Sequence, residues 1–188
     1  MSVQHSEQYI VKLLEQRPEE AFRLIYDLYA TKLVGIAYRY IGDKDVAKDI
    51  LQDAVCRAYQ KRETFKYQQV GGLWGWLKKI VVNLSLNHLK SFGVKNMDRY
   101  EEDSYDIVEE EDDSIDMLAA IDGKVLYDMI AELPEGYRMV FNLYAVEGYS
   151  HKEIAQQLGI AERSSSSQYF RAKKLLKKRI EQWIRETR

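Results

Sequence analysis

The sequence predicts an all-α protein: two small helical domains joined by an acidic flexible linker, the C-terminal one a helix-turn-helix. Three observations carry this expectation. Apolar residues recur at three- and four-residue steps, and no stretch sustains the period-two alternation of a strand. Only two prolines and ten glycines punctuate 188 residues, so runs of helix formers are long. Charge is laid out in blocks. Residues 1–96 carry 15 Lys and Arg against 10 acids, net +5; residues 97–123 carry Arg99 against 12 acids, net −11; residues 124–188 carry 12 against 8, net +4. The overall charge of −2 therefore conceals two cationic bodies, because such fields act within about 8 to 10 Å at ordinary salt. Two domains of this size each sit near the lower limit for an adequate core.

Residues 7–16 form a short amphipathic lead-in helix with Tyr9, Val11, Leu13 and Leu14 as its apolar content. Pro18 suits a first helical turn, and Glu19 and Glu20 follow where the positive end of the helix dipole favours acids. Phe22, Ile25, Tyr29, Leu33, Ile36 and Tyr40 make the core stripe of that second helix, which Gly42 ends. Asp43 is the N-cap of the third, with Val46, Ile50, Ala54 and Ala58 inward and Asp45, Asp49, Gln52 and Asp53 outward. Acids near a helix start can serve only to compensate its dipole. The amide in their midst also suits a polar partner surface.

A polar loop, Lys66 to Gly72, leads to a helix from Leu73 to Leu89 with Leu73, Leu77, Ile80 and Leu84 as its buried stripe. Lys78, Lys79, Asn83, Asn87, His88 and Lys90 occupy its other sides, near Trp74 and Trp76. Rings beside cations suit single-stranded nucleic acid, whose bases stack at roughly 1 to 3 kcal/mol each. A tryptophan in a small helical domain is also a natural core residue, so at least one of the two is expected to be buried. Residues 97–116 are too acidic and too poor in apolar groups to offset their ordering entropy, which predicts a disordered linker. Helix resumes over Ile115 to Leu133 with a break near Asp122-Gly123. Glu135 to Glu147 follows, with Val140, Phe141 and Tyr144 inward and Gly148 as its stop.

The last stretch is the most informative. Ser150-His151-Lys152-Glu153 reads as a capping box, so a helix starts at His151. Ile154, Ala155 and Leu158 share one side, and Gly159 can end the helix in the left-handed conformation. After Ile160 and Ala161 a longer helix begins at Glu162. Ser165, Tyr169, Ala172 and Leu176 form its inner stripe, while Arg163, Ser167, Phe170 and Lys174 face away beside Ser166 and Arg171. An α-helix fits the major groove of DNA, and Lys173, Lys174, Lys177, Lys178 and Arg179 supply cations for phosphates.

Three segments in order carry a family resemblance: Asp45-Val46-Ala47-Lys48-Asp49-Ile50-Leu51-Gln52-Asp53, then Trp76-Leu77-Lys78-Lys79-Ile80-Val81-Val82-Asn83, then Leu133-Pro134-Glu135 before the helix-turn-helix. Together with the acidic linker, this set resembles the extracytoplasmic-function sigma factors of bacterial RNA polymerase over about residues 19–90 and 124–180. The resemblance implies a region 2-like domain at 1–96, a linker at 97–123 threading the polymerase cleft, and a region 4-like domain at 124–188. It implies that Asp45, Asp49, Gln52 and Asp53 dock the core polymerase. Lys66, Trp74, Lys78, Lys79, Asn83, Asn87 and Lys90 would engage the melted minus-ten element, and the Lys66–Gly72 loop would capture an extruded base, at a cost of about a few kcal/mol that the pocket must offset. Arg163, Ser164, Ser166, Ser167, Gln168, Phe170, Arg171 and Lys174 would read the duplex minus-thirty-five element. An anti-sigma factor is a further implied partner.

Three departures from the family pattern stand out. Ala161 and Arg163 replace the usual Ser cap and small residue; Ser166 stands where Lys is common, and Ser165 where an apolar residue is usual. The basic cluster that often ends the first domain is reduced to Lys90 and Lys95, so the isolated protein should bind DNA weakly. A dimeric helix-turn-helix regulator is the alternative, but it needs a dimerisation or signal-receiving domain that the N-terminal half does not resemble. No glycine-rich nucleotide loop is present, and His5, His88 and His151 are too scattered for a zinc site, so neither an enzyme nor a cofactor is expected. Lone Cys56 excludes an internal disulfide and reads as a small core residue. The N-terminus lacks a signal-peptide pattern and no stretch is long enough to span a bilayer, which points to the cytoplasm.

Overall fold

The computed structural model describes residues 7–91 and 122–187. Eight α-helices lie among the described residues. They are α1 (Glu7–Gln16), α2 (Pro18–Ile41), α3 (Lys44–Lys61), α4 (Gly72–Ser91), α5 (Gly123–Ala131), α6 (Glu135–Phe141), α7 (His151–Leu158) and α8 (Glu162–Thr187). No strand occurs among the described residues. The chain forms two compact units that divide between His88 and Leu89. The expected linker lies outside the described residues apart from Asp122 and Gly123, as does the part of the expected 115–133 helix that precedes Asp122.

In the first unit, α1 packs on α2 and α2 on α3. Pro18 occupies the first turn of α2, and Gly42 ends it at φ 80° with its amide donating to the Tyr38 carbonyl. Asp43 then caps α3, its Oδ1 accepting from the amides of Asp45 (2.8 Å) and Val46 (3.0 Å). The α2 stripe is buried as expected except for Tyr29, which is half-buried. Two apolar expectations need correction. Ala47 and Leu51 are buried on α3 where Val46 is only half-buried, and Ile80 of α4 is half-exposed, its place taken by Val81 and Val82; in α1 Ile10, Leu13 and Leu14 are buried while Tyr9 is exposed. Cys56 is exposed on α3, not a core residue, because the inward positions of that helix belong to Ala54 and Ala58.

The second unit builds its core from Met129, Ile130, Leu133, Tyr137, Phe141, Ala172, Leu176 and Ile180, which joins α5, α6 and α8. After Phe141 the helix continues as one π-helical turn, Asn142–Val146. That wider turn shifts the helix phase, and Tyr144, 37% exposed, is not at the inward position expected for it. Gly148 then breaks the chain at φ 78°.

Candidate functional site

On α3, Asp45, Asp49, Gln52 and Asp53 fall at helical steps of four, three and one, and all four are exposed. Asp45 is engaged locally: Lys48 donates to its Oδ1 at 2.7 Å. That bond and the charge behind it hold the Asp45 carboxyl below its usual value and the Lys48 ammonium above its own. Asp49, Gln52 and Asp53 make no hydrogen bond or ion pair among the described residues, which leaves two carboxylates and an amide on one row.

α4 presents a second polar row. Lys79, Asn83, Asn87 and Lys90 are all exposed, at steps of four, four and three, so they line one side of the helix. Lys78 lies off this row and is half-buried. Neither nearby tryptophan is buried, contrary to expectation, because each finds a ring partner at the surface. Trp74 lies 5.6 Å from Tyr29 at 36°, and Trp76 lies 4.8 Å from Phe65 at 32°. In the preceding loop Lys66 is exposed, and Val70 at the tip is 78% exposed, an apolar residue that polar-pattern reasoning passed over. Gly71 follows at φ 85°.

In the second unit the capping box forms in full. The Glu153 amide donates to Ser150 Oγ (3.3 Å), and the Ser150 amide donates back to Glu153 Oε2 (2.8 Å). Gly159 ends α7 at φ 74°. The chain then enters α8 through Ala161, whose carbonyl accepts from the Ser165 amide at 3.1 Å. Alanine offers no side-chain acceptor there. Ala161→Ser should therefore raise the thermal stability of this unit by about 1 kcal/mol, measured as the shift of its melting transition.

Of the residues expected to read duplex DNA from α8, Arg163 and Lys174 are exposed; Ser164, Ser166, Ser167, Phe170 and Arg171 are half-buried. Arg171 also donates to the Tyr137 hydroxyl at 3.5 Å. Two expectations are corrected. Gln168 is only 3% exposed and belongs to the inner face, because Ser165, Gln168, Ala172 and Leu176 run at steps of three, four and four. Arg179 is not a free phosphate-facing cation: its guanidinium donates to the carbonyls of Met129 (2.9 Å) and Glu132 (3.3 Å), fastening α8 to the end of α5. Lys174, Lys177 and Lys178 remain exposed.

The unusual Ser165 has a structural explanation. It is fully buried, and its hydroxyl lies 3.0 Å from His151 Nδ1 of α7. The imidazole is stacked on Tyr144 at 4.2 Å and 8°, with Tyr169 6.0 Å away. Burial lowers the His151 pKa from its ordinary 6.5, against the opposing effect of the Glu162 carboxylate. The unfolded chain therefore takes up this proton at a higher pH than the folded one. Stability contributed here is unchanged above pH 6.5 and falls as pH drops from 6.5 through the lower folded value. Melts of the second unit over that window should show the fall, and His151→Asn should reduce it. The Glu153 carboxyl is held below its usual value by the Ser150 hydroxyl and amide.

Among the described residues no cluster of His, Cys, Asp and Glu is placed to hold a metal ion, and no helix is long and apolar enough to cross a membrane. The two helical units each carry exposed polar residues in rows along a helix. Residues 25–92 match the family described as Sigma-70 region 2, and residues 124–176 match Sigma-70, region 4, together nearly two thirds of the chain. The chain belongs to the sigma-70 family. Within that family it is a sigma factor of the extracytoplasmic-function type, as its full-length relatives show. It is 28% identical to the ECF RNA polymerase sigma-E factor of Haemophilus influenzae, with 96% of this chain and 98% of the relative covered. It is 26% identical to the RNA polymerase sigma-H factor of Pseudomonas aeruginosa, with 99% and 100% covered. A solved structure of the sigma factor RpoE in complex with the anti-sigma factor NepR from Bartonella quintana aligns over 84% of this chain and 94% of that one, at 22% identity and a TM-score of 0.46.

Proposed function

We propose that the protein directs the core of bacterial RNA polymerase to specific promoters and assists their melting, with no chemistry and no cofactor of its own. The observation that carries this reading is the set of three exposed polar helix faces, each of different composition. The acid and amide row of α3 suits a cationic protein surface; the Lys and Asn row of α4 suits melted DNA; and Arg163, Arg171 and Lys174 of α8 suit the groove and phosphates of a duplex. Asp49, Gln52 and Asp53, with Asp45 beside them, dock the polymerase. Lys66, Trp74, Lys79, Asn83, Asn87 and Lys90 hold the minus-ten strand, with Lys78 at their margin. The serines at 164, 166 and 167 and Phe170 complete the minus-thirty-five surface; Gln168 supports it from behind. The protein works where the polymerase works, in the cytoplasm, and an anti-sigma factor is the partner expected to restrain it.

Multi-round transcription from genomic promoter fragments, with core polymerase and with or without the protein, tests the reading. Discrete transcripts that need the protein are expected; none from any fragment would refute it. On a promoter found this way, changing Arg171 and Lys174 to alanine should cut initiation by about tenfold or more and leave core binding intact. Undiminished initiation would remove α8 as the reader.

A further inference from the structure

The start of α4 is capped from a distance. Gly71, just before the helix, has no side chain with which to satisfy the first-turn amides, and its φ of 85° is a conformation that glycine adopts at no steric cost. The acceptor comes from α1. Glu7 Oε2 accepts from the Gly71 amide at 2.5 Å, and Glu7 Oε1 accepts from the Leu73 amide at 2.6 Å, across 64 and 66 residues of chain. A carboxylate at a helix N-terminus is favoured by the dipole as well as by these bonds. Glu7 is itself held, because Ile10, Leu13 and Leu14 bury α1 one turn further on. Tyr29 stands behind the same spot: burial first and then the Glu7 charge raise its pKa, and its ring contacts Trp74.

In the loop in front of this anchor Tyr67 is half-buried, while Lys66, Gln68, Gln69 and Val70 are exposed, and the Gly72 amide donating to the Gln69 carbonyl at 3.0 Å is a local turn. We propose that Glu7 is a positioning residue of promoter melting: by receiving the amides of Gly71 and Leu73, it fixes the Lys66–Gly72 loop and the first turn of α4 in the arrangement that accepts melted DNA. The inference rests on the reading of α4 and its loop given above. A loop that holds its binding-competent arrangement for only part of the time binds more weakly in proportion to that fraction. Glu7 thus acts on DNA affinity without touching DNA.

The test uses the full chain bound to core polymerase, with a single-stranded oligonucleotide carrying the melted segment of a promoter on which the wild type initiates. Glu7→Ala should weaken oligonucleotide binding by about tenfold and leave affinity for core unchanged. Glu7→Gln, which keeps one carbonyl acceptor, should fall between. With Lys66–Val70 replaced by a Gly-Ser segment of equal length, adding Glu7→Ala should cost nothing more, since both changes remove the same ordered loop. Unaltered oligonucleotide binding in Glu7→Ala, a parallel loss of core affinity, or full additivity with the loop replacement would overturn the proposal. A wild type that initiates at no promoter would instead remove the reading beneath it.

Discussion

Changing Asp49 and Gln52 together to alanine should lower affinity for core polymerase by at least about tenfold while leaving the thermal melt unchanged. The separation of the two effects follows from the geometry. Both side chains are exposed on α3 and make no hydrogen bond or ion pair among the described residues, so folding does not depend on them. The buried side of the same helix, Ala47, Ile50, Leu51, Ala54 and Ala58, is untouched. In the proposed docking the outer row is buried against a partner, where a truncated member leaves the group opposite it unpaired. Asp45→Ala should cost less, because Lys48 already offsets that charge. Core affinity that survives the double change would take α3 out of the interface.

Replacing Arg138 should strongly destabilise the second unit. The side chain is 9% exposed and belongs to α6, yet its Nη1 donates to the carbonyls of Ala131 and, at 3.3 Å, Leu133. It thereby closes the end of α5 and the Leu133-Pro134-Glu135 turn. Its own carbonyl accepts from Asn142 Nδ2 at 2.9 Å, where the π-helical turn begins. Arg138→Leu keeps the apolar volume and leaves both carbonyls without that donor. Lost bonds to a charged group suggest a cost of about 2 to 4 kcal/mol, which for a unit of this size lowers its melting temperature by roughly 10 to 20 °C. Arg138→Lys, with a single ammonium, should recover part of it. A shift below about 4 °C would show that the turn holds without this residue.

Several helix boundaries were legible because they are set within four residues of sequence. Pro18, Asp43, the Ser150–Glu153 box and the left-handed Gly42 and Gly159 act on their own backbone, so reading them needs no knowledge of what packs nearby. The polar face of α3 was legible for a similar reason: a helical step of three or four, once phased by buried alanines, fixes what points away. What escaped were pairings across the chain. Arg179 looked like one more cation in a basic run, but its partners lie 47 and 50 residues away. Gln168 entered the duplex-reading set through the family resemblance, and the phase of α8 turns it inward. Tyr144 was placed in the core by a pattern assuming 3.6 residues per turn, which the π-helical turn does not keep. Glu7 sat in a helix of little apparent content, and only the folded first unit brings it to α4.

The proposed function requires a polymerase-bound protein to occupy two separated promoter segments at once. Footprinting of a protein-dependent promoter, with cleavage protection and thymine reactivity read on the same complex, examines it directly. With core polymerase present, protection of an upstream duplex segment and reactive, unpaired thymines in a downstream one are expected; Lys174→Ala should weaken the first, and Asn83→Ala together with Lys79→Ala the second. Protection by the protein without polymerase over two symmetric half-sites, with no unpaired thymines, would contradict the proposed function.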